Sequence, residues 1–292
     1  MFEIISKQIL AQDIKRIDIS APDIAKKVKP GQFVSICPEE GDERIPLTVV
    51  DWDSSKGTIS IIFQEIGQTT GKLGTLPIGE PIFSILGPLG VQSQIEKKGT
   101  VVCIATGIGA AQILPICRAF SRVGNKVIGI VGAKTKKSLM LEAQMRLACN
   151  KIFITTNDGS YERKGLATDI LRELIKKREV DFVYAIGTID MMKEVCSITK
   201  EKSIETRIQI KPVMVDCMGM CGSCRVVVNG KIVLACIEGP EFDGQEIELE
   251  DFSKRMETFK ESCKCKNQKL ISSQQKKESP TLMKFLLDIL KD

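Results

Sequence analysis

The sequence predicts a β-barrel plus α/β protein: an N-terminal antiparallel β-barrel, a doubly wound parallel sheet, and a small C-terminal β-subdomain. Three observations predict this class. Residues 1–97 contain short β-branched runs separated by turns rich in Gly, Pro and acidic residues, a pattern typical of small barrels. Apolar runs then alternate with amphipathic helical segments, which indicates parallel strands joined by helices. Finally, four cysteines fall within residues 217–236.

Changes of pattern along the chain define four predicted segments. The barrel takes residues 1–97 and the nucleotide-binding sheet takes residues 98–205. The cysteine-rich subdomain takes residues 206–250, and a basic tail with a short amphipathic helix takes residues 251–292. The predicted strands span 33–37, 46–52, 58–64, 100–106, 126–133, 151–156 and 181–187. The predicted helices span 113–124, 138–148 and 166–178.

Composition excludes several kinds of chemistry. The 292 residues include 42 Lys and Arg, 37 Asp and Glu, and no histidine. Without histidine, Ser-His-Asp and Cys-His nucleophilic catalysis are excluded, which favours an enzyme whose cofactor carries the chemistry. The basic excess falls in residues 254–292, so no nucleic-acid partner is expected. The sequence has no signal-peptide pattern and no long apolar run, and its cysteine count is odd. These features favour a cytoplasmic protein without a membrane span.

The cysteine cluster carries the strongest chemical signal. Cys221, Cys224 and Cys236 are spaced C-x2-C-x11-C, and plant-type [2Fe–2S] sites add a ligand five residues before the first of these. Asp216 stands at that position, and Cys217 is its neighbour. The spacing favours Asp216 as the fourth ligand, whereas the preference of iron in such clusters for soft thiolate ligands favours Cys217. A structural zinc site is the alternative, although zinc sites usually have two C-x2-C pairs.

Asn229-Gly230 predicts the turn of a hairpin that returns Cys236 to the loop. In the tail, Cys263 and Cys265 are interpreted as a solvated pair, with a further metal site as the alternative. The other cysteines lie in apolar or mixed runs and are predicted to be ordinary buried thiols: Cys37, Cys103, Cys117, Cys149 and Cys196.

A glycine-containing loop follows the first strand of the predicted parallel sheet. Gly107 and Gly109 stand between a strand and a helix, where glycine permits close approach of a phosphate to the helix N-terminus. An ordinary strand–helix turn is the alternative. Asp158 follows a later strand and is suited to bind the hydroxyls of an adenosine ribose, which favours NAD(H), or else to form an Asx turn with Gly159.

Two barrel segments offer groups for a second phosphate ligand. Arg44 precedes a strand and can bridge a pyrophosphate with its two-pronged guanidinium. The Thr48 hydroxyl and the strand backbone can face a planar ring. Gly67 and the hydroxyls of Thr69 and Thr70 form a second polar turn. By composition alone, each segment also fits an ordinary β-turn.

These motifs together resemble the ferredoxin–NADP reductase superfamily. The specific stretches are residues 30–34, 44–48, 87–90, 105–109, 157–161, 215–224 and 235–244. Over about residues 1–250, the chain is most similar to the branch of dihydroorotate dehydrogenase electron-transfer subunits. Within that branch it resembles the small subunits of NADH-dependent ferredoxin:NADP oxidoreductases, also described as sulfide dehydrogenases.

The resemblance implies three cofactors: FAD, NAD(H) and a [2Fe–2S] cluster. FAD would lie on the barrel against Arg44, Pro46, Leu47, Thr48, Phe63, Gln64, Gly67, Thr69 and Thr70. NAD(H) would lie against Gly107, Gly109, Asp158, Gly159 and Gly187. The cluster would be held by Asp216, Cys221, Cys224 and Cys236, with Cys217 as the alternative to Asp216.

The resemblance also implies an electron path through a heteromer. Hydride would pass from NADH to FAD, and electrons would pass through the cluster to a larger subunit with a further flavin and [4Fe–4S] clusters. NADPH and ferredoxin would react through that partner, and such enzymes bifurcate electron pairs. Three alternatives remain at this stage: a dihydroorotate dehydrogenase subunit, a sulfide dehydrogenase subunit, and a zinc-stabilised nucleotide-binding module without redox activity.

Overall fold

The computed structural model describes residues 2–11 and 13–259. The chain divides into two units, Met1–Leu249 and Glu250–Asp292. In the second unit, the described residues 250–259 are helical. The predictions for Cys263, Cys265 and the C-terminal amphipathic helix lie outside the described residues. Within the described ranges, no helix is long and apolar enough to cross a membrane.

The first sheet of Met1–Leu249 is antiparallel and has seven strands in the order β6-β1-β2-β5-β4-β3-β7. Branched side chains that alternate along these strands, such as Ile17, Ile19, Ile59 and Ile61, are fully buried and fill the barrel. The strands are β1 (Phe2–Ala11), β2 (Ile14–Ser20), β3 (Phe33–Cys37), β4 (Ile45–Asp53), β5 (Thr58–Gln64), β6 (Pro81–Ile82) and β7 (Ser84–Leu89). Two short helices accompany them, α1 (Pro22–Ala25) and α2 (Gln68–Thr75).

The second sheet has the order β11-β10-β9-β8-β12-β13-β16. Its strands are β8 (Thr100–Thr106), β9 (Lys126–Ala133), β10 (Lys151–Thr156), β11 (Arg163–Lys164), β12 (Phe182–Ile186), β13 (Glu205–Gln209) and β16 (Glu241–Asp243). All pair in parallel except β16, which is antiparallel to β13. The helices are α3 (Gly109–Arg122), α4 (Glu142–Ala148), α5 (Ala167–Lys176) and α6 (Ile189–Lys200).

The order of this sheet fixes where a ligand crevice opens. The chain runs outward from β8 through β9 to β10, then returns to the other side of β8 as β12. The strand order therefore reverses at the carboxyl end of β8, and in open α/β sheets ligands bind at this kind of switch point. Gly107 directly follows β8 and so lies at this point.

The cysteine-rich segment forms a two-stranded hairpin of β14 (Arg225–Val228) and β15 (Lys231–Leu234). Asn229 and Gly230 have φ of 51° and 72°, as a two-residue type I′ turn requires, which confirms the predicted turn. The predicted segment boundaries stay a prediction. Strand β13 crosses the predicted boundary between residues 205 and 206. Strand β16 belongs to the predicted cysteine-rich segment but pairs with β13 of the second sheet.

Candidate functional site

A cavity of about 300 Å³ opens between the barrel and the second sheet. We call it the flavin-side cavity. It is lined by six of the residues predicted to contact FAD: Pro46, Leu47, Thr48, Phe63, Gln64 and Thr70. The cavity is also lined by residues that the sequence did not predict for this site: Phe33, Gln112, Gln209, Lys211 and Met214.

Arg44 directly precedes Ile45, which lines this cavity, and one nitrogen of its guanidinium has no hydrogen-bond partner among the described residues. Its Nη2 donates a hydrogen bond to Ser84 Oγ at 3.0 Å. Its Nη1 is buried and has no hydrogen-bond partner among the described residues. A buried cationic donor without an acceptor is costly, and a bridging phosphate oxygen is the acceptor that a guanidinium fits best. The residue therefore suits the pyrophosphate of FAD.

The Thr70 hydroxyl is hydrogen-bonded to the backbone at the start of α2. Thr70 Oγ1 accepts the backbone N–H groups of Ile66 at 3.2 Å and Gly67 at 3.0 Å, and it donates to the Gly67 carbonyl at 3.1 Å. This hydroxyl therefore caps the start of α2. Thr69 lies in the first turn of the same helix, half-buried and outside the lining of the cavity. Their roles toward FAD stay predictions.

A second cavity, of about 440 Å³, opens at the carboxyl ends of the parallel strands. We call it the nucleotide cavity. Gly107 faces its open space: the residue has φ of +56°, and a Cβ added there would meet no atom within 4 Å. Gln64 and Ile108 line both cavities. The two cavities are therefore adjacent at these two side chains.

Gly109 and Gly187 serve packing rather than open space. A Cβ on Gly109 would lie 2.5 Å from the Ile186 carbonyl oxygen. One on Gly187 would lie 2.2 Å from Thr106 Oγ1 and 2.3 Å from Met191 Cε. All three distances are far inside van der Waals contact, so these glycines allow α3 and α6 to begin directly against the neighbouring strands.

Gly109→Ala is expected to lower the free energy of unfolding by about 1–3 kcal/mol, because its methyl group meets backbone that cannot rotate away. The matched control is Gly71→Ala in α2, where a Cβ meets no atom within 4 Å. That change is expected to be neutral or to stabilise by up to about 1 kcal/mol. Denaturant unfolding of the two variants measures this. Equal effects at both positions would contradict the packing account.

Asp158 forms the Asx turn that was its alternative interpretation. Its Oδ1 accepts hydrogen bonds from the backbone N–H of Ser160 at 3.0 Å and from Ser160 Oγ at 2.7 Å. These bonds lower the pKa of the Asp158 carboxyl. Gly159 completes the turn with φ of +77°. The neighbouring Asn157 lines the nucleotide cavity, and contact of Asp158 with a ribose stays a prediction.

The Asp216 carboxylate organises the cysteine loop. Its Oδ1 accepts the backbone N–H of Met218 at 3.0 Å, and its Oδ2 accepts those of Met220 at 2.8 Å and Cys221 at 2.6 Å. These hydrogen bonds lower the pKa of Asp216. Three backbone N–H groups that converge on one anion form a nest of the kind that also surrounds iron–sulfur sites.

The cysteines differ in exposure. Cys221 is exposed, its Sγ lies 3.1 Å from Ser223 Oγ, and this hydrogen bond lowers the pKa of its thiol. Cys224 and Cys236 are both 2% exposed. Burial, followed by a hydrogen bond with the Cys224 thiol, raises the pKa of Cys236 to about 12. Cys217 is 1% exposed with φ of +62°, and burial raises its pKa.

The donor set fits an iron–sulfur cluster. Three thiols and one carboxylate belong to one loop and the hairpin strand that returns to it, and N–H donors face the anionic position. Hydrogen bonds from such donors to sulfide tune these clusters. Within residues 2–11 and 13–259, no three His, Cys, Asp or Glu side chains converge as they would around a single metal ion.

Lys211 is the only charged side chain that lines the flavin-side cavity. The residue is exposed, and partial desolvation by the neighbouring protein lowers its pKa to about 8. Two further polar atoms of the cavity lining, Gln112 Oε1 and Gln209 Oε1, are buried without a hydrogen-bond partner among the described residues. No local motif marks these three residues, because they come from separate segments.

Comparison with known proteins agrees with this architecture. A family model for the iron–sulfur cluster binding domain of dihydroorotate dehydrogenase B matches residues 211–248. The "uncharacterized protein in adh 3′ region" of Clostridium beijerinckii is 40% identical over 269 residues, which cover 89% of this chain and 91% of that protein. The dihydroorotate dehydrogenase B (NAD(+)), electron transfer subunit homolog of Thermotoga maritima is 35% identical over 271 residues, 93% of this chain and 96% of that protein.

A solved structure is also similar over almost its whole length. It comes from work on flavin-based electron bifurcation by the NADH-dependent reduced ferredoxin–NADP oxidoreductase, and it superposes with a TM-score of 0.87. It is 34% identical, and the match covers 93% of this chain and 98% of that chain.

Fold and site together define an oxidoreductase subunit of the ferredoxin-reductase type, in which a barrel and a nucleotide-binding sheet precede an iron–sulfur domain. The chain belongs to the family of dihydroorotate dehydrogenase B electron-transfer subunits and their homologues. These matches confirm the predicted fold class and the predicted cofactors FAD, [2Fe–2S] and NAD(H), and they set aside the zinc alternative. Membership in a family of electron-transfer subunits also bears out the expected larger partner.

Proposed function

We propose that this chain is the small subunit of an NADH-dependent ferredoxin:NADP oxidoreductase that bifurcates electrons. It accepts hydride from NADH, or in the reverse direction gives it to NAD, and exchanges electrons with a larger subunit that carries a further flavin and [4Fe–4S] clusters. The observation that carries the proposal is the Asp216 carboxylate inside the cysteine loop. The resemblance implies aspartate at this position in ferredoxin-reducing subunits and cysteine in dihydroorotate dehydrogenase subunits. Similarity to the bifurcating oxidoreductase structure supports the same choice.

The two cavities support the first step of this function. Because Gln64 and Ile108 line both of them, a nicotinamide and an isoalloxazine would be held against each other, and positioning of this kind supplies most of the catalysis of hydride transfer. No proton has to be exchanged with a side chain at that step, which agrees with a chain that lacks histidine. When bound, FAD converts the two-electron donor into single-electron transfers.

The chain then leads directly to the cluster site. Met214 lines the flavin-side cavity, and Asp216 follows two residues later. We assign Arg44 to the FAD pyrophosphate, Pro46, Leu47 and Thr48 to the ring, and Gly107 to the nicotinamide nucleotide. Asp216, Cys221, Cys224 and Cys236 are assigned to the [2Fe–2S] cluster. The segments 1–97, 98–205 and 206–250 are the corresponding functional domains.

The anaerobic visible spectrum of the purified chain tests this function. Flavin and iron–sulfur absorption are both expected, and both are expected to bleach when NADH is added. NADPH at the same concentration serves as the comparison and is expected to bleach them more slowly. A spectrum with flavin bands that NADH leaves unchanged would overturn the proposed electron path.

The partner requires a second measurement. The complex purified from its native source is expected to reduce NADP with electrons from NADH and reduced ferredoxin together, and in reverse to divide the electron pairs of NADPH between NAD and ferredoxin. If the copurified large subunit instead oxidises dihydroorotate with NAD, the chain is a dihydroorotate dehydrogenase subunit. If it turns over sulfide or polysulfide only, the sulfide dehydrogenase assignment replaces our proposal.

A further inference from the structure

Among the described residues, no acidic side chain forms an ion pair with Lys211. It lines the flavin-side cavity next to Ile210, Met214 and Pro240, and every other side chain of the lining is neutral. No ion pair or hydrogen bond engages its ammonium group within the described part of the chain. Lys211 is exposed, and a cation at the edge of an otherwise neutral cavity favours a negative charge on the ligand inside it.

The rest of the cavity selects what kind of ligand this is. Gln112 Oε1 and Gln209 Oε1 are buried acceptors without donors among the described residues, and Gln112 Nε2 already donates to Thr48 Oγ1 at 3.1 Å. The ring beside Lys211 should therefore offer an N–H donor together with oxygen or nitrogen acceptors. The pyrimidine edge of an isoalloxazine has this pattern, whereas its dimethylbenzene edge has no polar atom.

We propose that Lys211 faces the pyrimidine edge of FAD and stabilises the negative charge that the ring gains when it accepts hydride. This inference rests on the proposed function, since FAD must occupy the flavin-side cavity. The hydride leaves C4 of NADH, giving NAD⁺, and bonds to N5 of the ring. A neutral ring thereby gains one negative charge, which spreads over N1 and O2. Lys211 keeps its proton throughout.

The surroundings make this charge effective. The cavity wall is apolar apart from a few amides and hydroxyls, so attraction between the ammonium and a ring on the cavity side is screened less than it would be between two groups in bulk water. Desolvation lowers the pKa of Lys211 only to about 8, so most of the residue is still protonated at neutral pH. The same attraction is absent while the ring is oxidised and neutral, and it therefore favours hydride uptake.

Two titrations of the FAD-loaded chain test this inference. The first is a spectroelectrochemical titration of the bound flavin. The second is titration with sulfite, which adds to N5 and leaves the same negative charge on the ring. Lys211→Met is expected to weaken the preference for the reduced ring at least tenfold, a midpoint potential about 30 mV lower for a two-electron couple. Sulfite affinity is expected to fall by a similar factor.

Three comparisons keep the result interpretable. Lys211→Arg is expected to retain the potential and most of the sulfite affinity, because the charge remains. Lys126→Met removes an exposed lysine at the amino end of β9, far along the sheet from the cavity, and is expected to change neither. FAD content and the unfolding transition are measured on each variant to show that it is folded and loaded.

The outcomes separate this inference from the proposed function. If Lys211→Met binds FAD with unchanged potential and unchanged sulfite affinity, the inference is wrong and the proposed function stands. If Lys211→Arg behaves like Lys211→Met, shape rather than charge is responsible, and the inference is wrong again. If the unaltered chain binds no FAD, the proposed function itself fails.

Discussion

Asp216→Ala is expected to yield a protein that keeps its FAD but loses its [2Fe–2S] cluster. The change removes an anionic ligand and also the acceptor of three backbone N–H groups, those of Met218, Met220 and Cys221. Loss of groups that merely support a ligand already costs metal sites about 10–100-fold in affinity. Iron and acid-labile sulfide, measured per FAD, should therefore fall at least ~10-fold after anaerobic purification.

Cys217→Ser provides the matched control one residue away. The Cys217 thiol is 1% exposed, and it does not accept the N–H groups that the Asp216 carboxylate collects. The variant is therefore expected to retain its cluster and its reduction by NADH. The reverse pattern, with cluster lost from Cys217→Ser and retained in Asp216→Ala, would establish four-cysteine ligation and favour the dihydroorotate dehydrogenase assignment.

Arg44→Met is expected to weaken FAD binding by roughly 30- to 150-fold. Hydrogen bonds to charged groups contribute about 2–3 kcal/mol, and the buried Nη1 has no other partner among the described residues. Methionine keeps most of the length of the side chain and removes the charge together with the donors. Recovery of flavin fluorescence on dilution of the loaded protein measures the dissociation constant.

Arg44→Lys separates charge from geometry in the same measurement. Lysine keeps the positive charge but presents a single ammonium group, so it cannot contact Ser84 Oγ and a phosphate oxygen as the guanidinium can. We expect an affinity between those of the two other forms. Unaltered FAD affinity in Arg44→Met would exclude Arg44 from the pyrophosphate site, and the unpaired Nη1 would then need another anion.

Local sequence pattern predicted the central strands of both sheets well but did not predict helices α1, α2 and α6. β3 (Phe33–Cys37) and β5 (Thr58–Gln64) coincide with the predicted runs, because β-branched residues bounded by turns leave little choice. The composition of residues 63–70 predicts a turn, whereas the structure has helix α2 from Gln68 to Thr75 even though it contains two glycines, which disfavour helix. Tertiary contacts stabilise it instead: Lys15 Nζ bonds the Gly74 carbonyl at 2.9 Å, and Lys7 Nζ bonds that of Leu76 at 2.7 Å.

The site was predictable where a motif is continuous in the chain. Residues 44–48 and the Asp216–Cys236 segment each carry a recognisable spacing, and the structure brings each together locally. Gln112 and Lys211 were missed because α3 and the end of β13 reach the barrel only through the topology of the second sheet. The pattern within one segment carries no information about contacts between distant segments, and a single glutamine or lysine has many other roles in proteins.

The segment that follows β13 has a consequence for how the protein is assembled. Gln209, Lys211 and Met214 line the flavin-side cavity, and Asp216 gathers the amides of the cysteine loop two residues later. Two residues of extended chain reach no more than about 7 Å. The same short segment of backbone would therefore contact the flavin at one end and hold the cluster at the other. We therefore expect loading of the cluster to depend on loading of the flavin. Flavin would bind first and fix the conformation of this segment, and a chain depleted of FAD would hold a more labile cluster.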